Sequence, residues 1–117
     1  MKIMGIGIDI VDVEQFEKIP FYSKPGFYKK LFTKSEIEYC LRYKNSSEHF
    51  AAKFAIKEAV KKSINDKISM IGIETYHLKS KPQVRLKKLE TKYTFYVSVS
   101  HEKKLAVAVI IAERILS

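Results

Sequence analysis

Glu58 stands in the stretch Lys53-Phe54-Ala55-Ile56-Lys57-Glu58-Ala59-Val60-Lys61-Lys62, where a carboxylate meets the edge of an apolar stripe. Phe54, Ala55, Ala59 and Val60 recur at helical spacing, and Glu58 lies beside Ala55 and Ala59, not on the outer face. Phe54, Glu58 and Lys62 follow one another at i, i+4 along one row of such a helix. The plain reading of Glu58 is a weak pair with Lys62, worth a few tenths of a kcal/mol. The chemical reading is a carboxylate held at a core margin for a metal or a proton. Asp9 closes a strand opened by Gly5 and Gly7, and its hard oxygens suit Mg2+. Its structural alternative is a helix N-cap. His101 follows Ser98 and Ser100, two hydroxyls on one strand face, and can bind phosphate or move a proton; its alternative is simple exposure at a turn. Lys57 and Lys61 read by default as solvated helix charges. Two acids distant in sequence, near several lysines, suit a Mg2+–phosphate site once a fold joins them. His49 reads as a helix-start residue and His77 as a strand residue, and three histidines without mutual spacing give no zinc signature.

The elements that must position these groups can be read in order. Residues 2–10 alternate Ile3, Gly5, Gly7 and Asp9 with Met4, Ile6, Ile8 and Ile10, the period of a strand. The bare glycine face signals close approach by another backbone or a ligand. Val11 to Ile19 reads as a short helix stopped by Pro20, and Phe21 to Gly26 as a loop. Thr33-Lys34-Ser35-Glu36 forms a capping box opening a helix to about Tyr43. Ser46 or Ser47 caps the long helix through Lys62, which Asn65-Asp66 ends. Residues 70–79 and 83–88 read as strands around a turn at Ser80-Lys81-Pro82. Residues 92–100 and 105–112 form a hairpin about His101-Glu102-Lys103-Lys104. The reading is α+β, one domain over residues 1–117, with neither repeat nor linker.

Lys and Arg number 22 against 13 Asp and Glu, a formal charge of +9. That surplus favours a polyanionic partner: nucleic acid, an anionic membrane, an acidic protein or a phosphate-rich small molecule. The basic residues among aromatics in Tyr28-Lys29-Lys30-Leu31-Phe32 suggest a nucleic-acid surface, but no RNA- or DNA-binding motif accompanies them. Cys40 is the single cysteine, which excludes an internal disulfide and a cysteine-rich metal site. Residues 1–5 lack a signal-peptide hydrophobic block, and the run from Leu105 to Ala112 is too short to span a bilayer. A cytoplasmic protein is expected.

Four segments in register resemble the bacterial holo-[acyl-carrier-protein] synthases, small 4'-phosphopantetheinyl transferases. Gly5-Ile6-Gly7-Ile8-Asp9 resembles the family's G-x-D motif, and Phe32-Thr33-Lys34-Ser35-Glu36 its F-T-x-x-E segment. Phe54 to Lys62 resembles F-A-x-K-E-A-x-x-K, and Ser98-Val99-Ser100-His101 the closing S-x-S-H. The resemblance implies an α+β transferase fold, a small antiparallel sheet packed by a long helix and shorter helices. It implies attack by a serine hydroxyl of apo acyl carrier protein on the β-phosphate of coenzyme A, releasing adenosine 3',5'-bisphosphate. Asp9 and Glu58 would then hold Mg2+, and Lys62 would stabilise or protonate the leaving phosphate. Lys57 and His101 would meet phosphate oxygens. Glu58 or a metal-bound water would take the serine proton. The partner would be an acidic carrier protein docked near Lys29, Lys30 and Lys34, with neither membrane nor nucleic acid. The assembly would be a homotrimer with sites between subunits.

This chain departs from the family pattern at several positions. Gln15 replaces an arginine that usually contacts the carrier. Lys53 stands where an arginine often meets the coenzyme's phosphates, keeping charge but losing bidentate geometry. Asn65-Asp66-Lys67-Ile68-Ser69 replaces a glycine-rich loop. Ser80-Lys81-Pro82 resembles a G-x-P turn and makes Pro82 a pocket residue, with Ser100 beside His101 on the coenzyme side. The rival reading is a catalytically silent basic module that binds RNA or an acidic protein.

Overall fold

A computed structural model describes residues 2–88 and 92–115. The chain opens with strand β1 (Lys2–Asp12), followed by a one-turn helix α1 (Glu14–Glu17) and a 3-10 turn at Phe21–Ser23. Helices α2 (Pro25–Leu31), α3 (Lys34–Leu41) and α4 (Ser46–Ser63) come next. The hairpin β2 (Ile73–Leu78) and β3 (Lys81–Leu86) precedes β4 (Thr94–His101) and β5 (Leu105–Ile115). Both sheets are antiparallel: one has the order β1-β5-β4, the other is the β2-β3 pair. This is the expected α+β architecture, a small antiparallel sheet under one long helix with shorter helices around it.

The glycine face of β1 is where α4 rests. A Cβ on Gly5 would lie 1.9 Å from the carbonyl oxygen of Ser63, and one on Gly7 would lie 1.9 Å from that of Ala59. Only hydrogen fits there, so strand and helix backbones touch directly. Ala106, Ala108 and Ile110 of β5 are buried on the same side of the sheet. The aromatic end of the core is built from Phe16, Tyr28, Phe32 and Phe50, with Tyr28 and Phe50 edge to face at 4.6 Å.

Several expected boundaries move. Strand β1 continues past Ile10 to Asp12, because every residue to Asp12 pairs with β5, and the helix expected over Val11 to Ile19 shrinks to Glu14–Glu17. Asp12, not Asp9, supplies the side-chain oxygen that accepts from the Glu14 amide, 2.9 Å away. Pro25 opens α2 at its first turn, where its missing N–H costs nothing, so the expected loop ends two residues sooner, at Lys24. The capping box is present: Thr33 N donates to Glu36 Oε1 at 2.7 Å and Glu36 N to Thr33 Oγ1 at 3.3 Å. Neither Ser46 nor Ser47 caps α4; both lie within it, after Asn45. The β2-β3 turn is at Lys79 and Ser80, whose φ angles of 51° and 67° fit a tight two-residue hairpin. Pro82 is therefore a strand residue, opposite His77.

Candidate functional site

The predicted residues fall into two groups. The first lies where α4 crosses β1. Gly5 opposes Ser63 and Gly7 opposes Ala59, so two residues along the strand match four along the helix. Continued by one step, that register sets Asp9, next on the face, against the turn that begins at Ala55 and carries Glu58. Lys62 folds back along the helix row. Its Nζ donates to Asp9 Oδ1 at 2.9 Å and to the Ile8 carbonyl at 3.0 Å. The expected Glu58–Lys62 pair is replaced by this longer-range contact. Asp9 and Glu58 are both half-buried. Among the described residues, no cluster of three or more His, Cys, Asp or Glu side chains forms a ready-made metal cage. Two carboxylates at a solvent edge still fit Mg2+, which binds through one or two carboxylates and completes its shell with substrate phosphates and water.

The second group lines a small cavity between α4, the β2-β3 hairpin and the end of β4. Lys53, Pro82 and His101 face it together with Tyr39, His49 and His77. All three histidines of the chain thus meet, although nothing in their spacing indicated it. His49 stacks on Tyr43 at 3.8 Å, His77 stacks on Tyr39 at 4.8 Å, and His49 meets His101 edge-on at 5.1 Å. His101 Nδ1 lies 2.6 Å from Glu48 Oε1, and this hydrogen bond holds the Glu48 carboxyl below the usual range. Burial lowers the His49 pKa, helped by His101; burial and the Lys53 charge lower that of His77. Ser100 alternates to the opposite face of β4 and is exposed there, so one chain does not join it to His101.

Lys57 is a correction. It was expected to be a solvated charge or a phosphate contact, yet its side chain is fully buried. Its Nζ donates to Glu36 Oε1 at 2.6 Å, the Leu31 carbonyl at 2.8 Å and the Met70 carbonyl at 3.0 Å. Those three bonds use all the protons an ammonium has, so none is left for a coenzyme. Glu36, read from sequence only as half of a capping box, is the hub of this network. A signal for it existed: Phe50, Lys53, Lys57, Val60 and Ile64 recur at helical spacing, which puts both lysines on a core face.

The outer face of the three-stranded sheet is apolar and uncovered. Met4, Ile6, Ile8 and Ile10 project from β1, with Ile6 69% and Ile10 64% exposed, and Tyr96 continues the patch on β4. No helix of the described residues is long and apolar enough to cross a membrane.

Residues 5–110 match the 4'-phosphopantetheinyl transferase superfamily. A holo-[acyl-carrier-protein] synthase of Thermodesulfovibrio yellowstonii is 39% identical over 114 residues, 93% of this chain and 97% of the relative. One from a Geobacter species is 34% identical over 124 residues, 96% of this chain and 99% of the relative. The crystal structure of a Bacillus anthracis holo-(acyl-carrier-protein) synthase, in complex with CoA (3',5'-ADP), superposes with a TM-score of 0.83 at 30% identity. It covers 98% of this chain and 100% of that one. The Helicobacter pylori synthase in complex with coenzyme A gives a TM-score of 0.75 at 30% identity, over 92% of this chain and 98% of its own. With motif, length and fold in agreement, the chain belongs to the 4'-phosphopantetheinyl transferase superfamily.

Proposed function

We propose that this protein is a holo-[acyl-carrier-protein] synthase. It transfers 4'-phosphopantetheine from coenzyme A to a serine of apo acyl carrier protein and releases adenosine 3',5'-bisphosphate. The carrier serine oxygen bonds to the β-phosphorus as the bond to the bridging oxygen breaks, and the serine proton passes to a base. The observation that carries this reading is the contact of Asp9 with Lys62, one helical turn beyond Glu58, in a chain of this superfamily. That membership favours the transferase over the silent binding module.

Asp9 and Glu58 would hold Mg2+, their two oxygen-donor side chains lying on elements in backbone contact. The chemistry such an ion would supply is neutralisation of charge on the diphosphate and its orientation for displacement. Lys62 turns from Asp9 toward the leaving phosphate and steadies its developing charge. Glu58 is also a candidate to receive the serine proton. Lys53 and His101 meet coenzyme phosphate in the histidine-lined cavity, with Pro82 forming a wall. Ser100 meets the coenzyme from the opposite sheet face, which requires a neighbouring copy.

The uncovered Met4–Ile10 face supports that copy: a sheet face this apolar demands a partner. We assign it to a homotrimer with active sites between subunits, each chain contributing residues 1–117 as one domain. Lys29, Lys30 and Lys34 offer charge to an acidic carrier protein. The setting is the cytoplasm and the pathway fatty acid biosynthesis. Incubation with coenzyme A, Mg2+ and apo carrier protein adds the phosphopantetheine mass to the carrier. Tight RNA binding without any mass gain would instead establish the silent module.

A further inference from the structure

Lys53 is buried, yet no carboxylate among the described residues lies within ion-pair distance of its ammonium. Its hydrogen bond goes to Thr75 Oγ1, 2.8 Å away, and its Nζ sits 4.6 Å from the centre of the Tyr39 ring. Thr75 is itself buried. Its hydroxyl lies 2.6 Å from Glu36 Oε2, and its backbone amide donates to the same oxygen at 2.8 Å. A carboxylate paired with Lys57 has only acceptors to offer, so the single Thr75 hydroxyl proton points at Glu36. The lone pairs of that hydroxyl are thereby fixed toward Lys53. Carboxylate, hydroxyl and ammonium form a polarised chain in which each bond strengthens the next.

We propose that Thr75 is a positioning residue: held by Glu36, it aims the Lys53 ammonium into the cavity that Lys53 shares with His101. The inference rests on the reading that this cavity takes a phosphate of coenzyme A. Two buried ammonium groups, those of Lys53 and Lys57, share the Glu36 carboxylate, the one buried carboxylate among the described residues. Lys57 holds that carboxylate directly, and Lys53 reaches it only through the threonine. With one hydrogen bond to Thr75, Lys53 keeps spare donors on the cavity side. An arginine would fill such a site with a rigid fork of its own. A lysine is a flexible point charge and needs an external anchor to keep its direction. A hydroxyl is the small side-chain group that accepts from an ammonium while donating to a carboxylate. The aromatic face of Tyr39 supports the same ammonium from a second side.

The test is the coenzyme A dependence of transfer at saturating carrier, together with calorimetric binding of adenosine 3',5'-bisphosphate. Wild type, Thr75→Val, Thr75→Ser and Lys53→Met are compared. Thr75→Val keeps shape and the Glu36-bound amide but loses the hydroxyl. It is expected to raise the KM for coenzyme A and the Kd for the bisphosphate roughly tenfold, with kcat changed less than about twofold. Thr75→Ser restores both values, and adding Thr75→Val to Lys53→Met makes neither worse. If Thr75→Val does not fold, Thr75→Ala is read against Thr75→Ser with the same expectation. Wild-type KM and Kd in the hydroxyl-free variant, beside raised values in Lys53→Met, would overturn the positioning role and leave the phosphate site standing. Unchanged values in Lys53→Met as well would remove Lys53 from the phosphate contacts, and the proposal with it.

Discussion

The Lys62 ammonium and the Asp9 carboxylate meet at 2.9 Å across 53 positions of sequence, bridging the long helix to the first strand. Lys62 is 52% exposed at its side chain, so water screens the pair. Replacing Lys62 by Met is expected to cost less than about 1 kcal/mol of stability, as measured by urea unfolding. Transfer to the carrier should nonetheless fall about 100-fold or more, because a cation facing the developing charge is lost. A variant with near-normal turnover would confine Lys62 to the surface role its exposure allows.

Lys57→Met has the reverse signature. It strands the Glu36 carboxylate among Lys57's former neighbours, and removing one partner of a buried pair costs about 3–5 kcal/mol. Urea unfolding should show that loss, and a rise in the KM for coenzyme A should accompany it only through the disturbed Glu36–Thr75 anchor of Lys53. A selective rise in KM with intact stability would return Lys57 to the coenzyme site.

The β1 face predicts assembly. Ile8 is 59% exposed in the single chain and is expected to be buried in the proposed trimer. Sedimentation should give a trimer for the wild type, and Ile8→Lys should give monomers that no longer modify the carrier. A wild-type monomer with full activity would refute intersubunit sites.

Acid should destabilise the histidine cavity. Burial lowers the folded-state pKa of His49 and His77 from the ordinary value of 6.5, so the unfolded chain binds protons first. Their contribution to stability is present above that value and is lost as the pH falls below it toward the folded pKa values. The melting temperature should drop on that limb, and His49→Phe with His77→Phe should flatten it while keeping the ring stacks on Tyr43 and Tyr39. An unchanged acid limb in the double variant would assign the loss to carboxylates.

Local chemistry was legible in the sequence, and distant pairing was not. Gly5 and Gly7 announced a close backbone approach, Thr33 and Glu36 announced a cap, and the α4 stripe placed Glu58 at a core margin. Lys57 misled because its counter-charge comes from α3, 21 residues earlier, and a lysine reads as solvated until that partner is seen. The histidines misled for the same reason: the hairpin and β4 carry His77 and His101 to His49 through tertiary packing alone. Val11 and Asp12 read as the start of a helix because their strand partner is β5, at the far end of the chain.

The central claim is that Asp9 and Glu58 serve metal-dependent transfer. The most direct measurement is carrier mass spectrometry with coenzyme A and apo carrier protein, for wild type and Glu58→Gln, with Mg2+ and with chelator. The expected result is phosphopantetheine addition only by the wild type with Mg2+, with Glu58→Gln folded but inactive. Full modification in chelator, or near-normal modification by Glu58→Gln, would contradict the account.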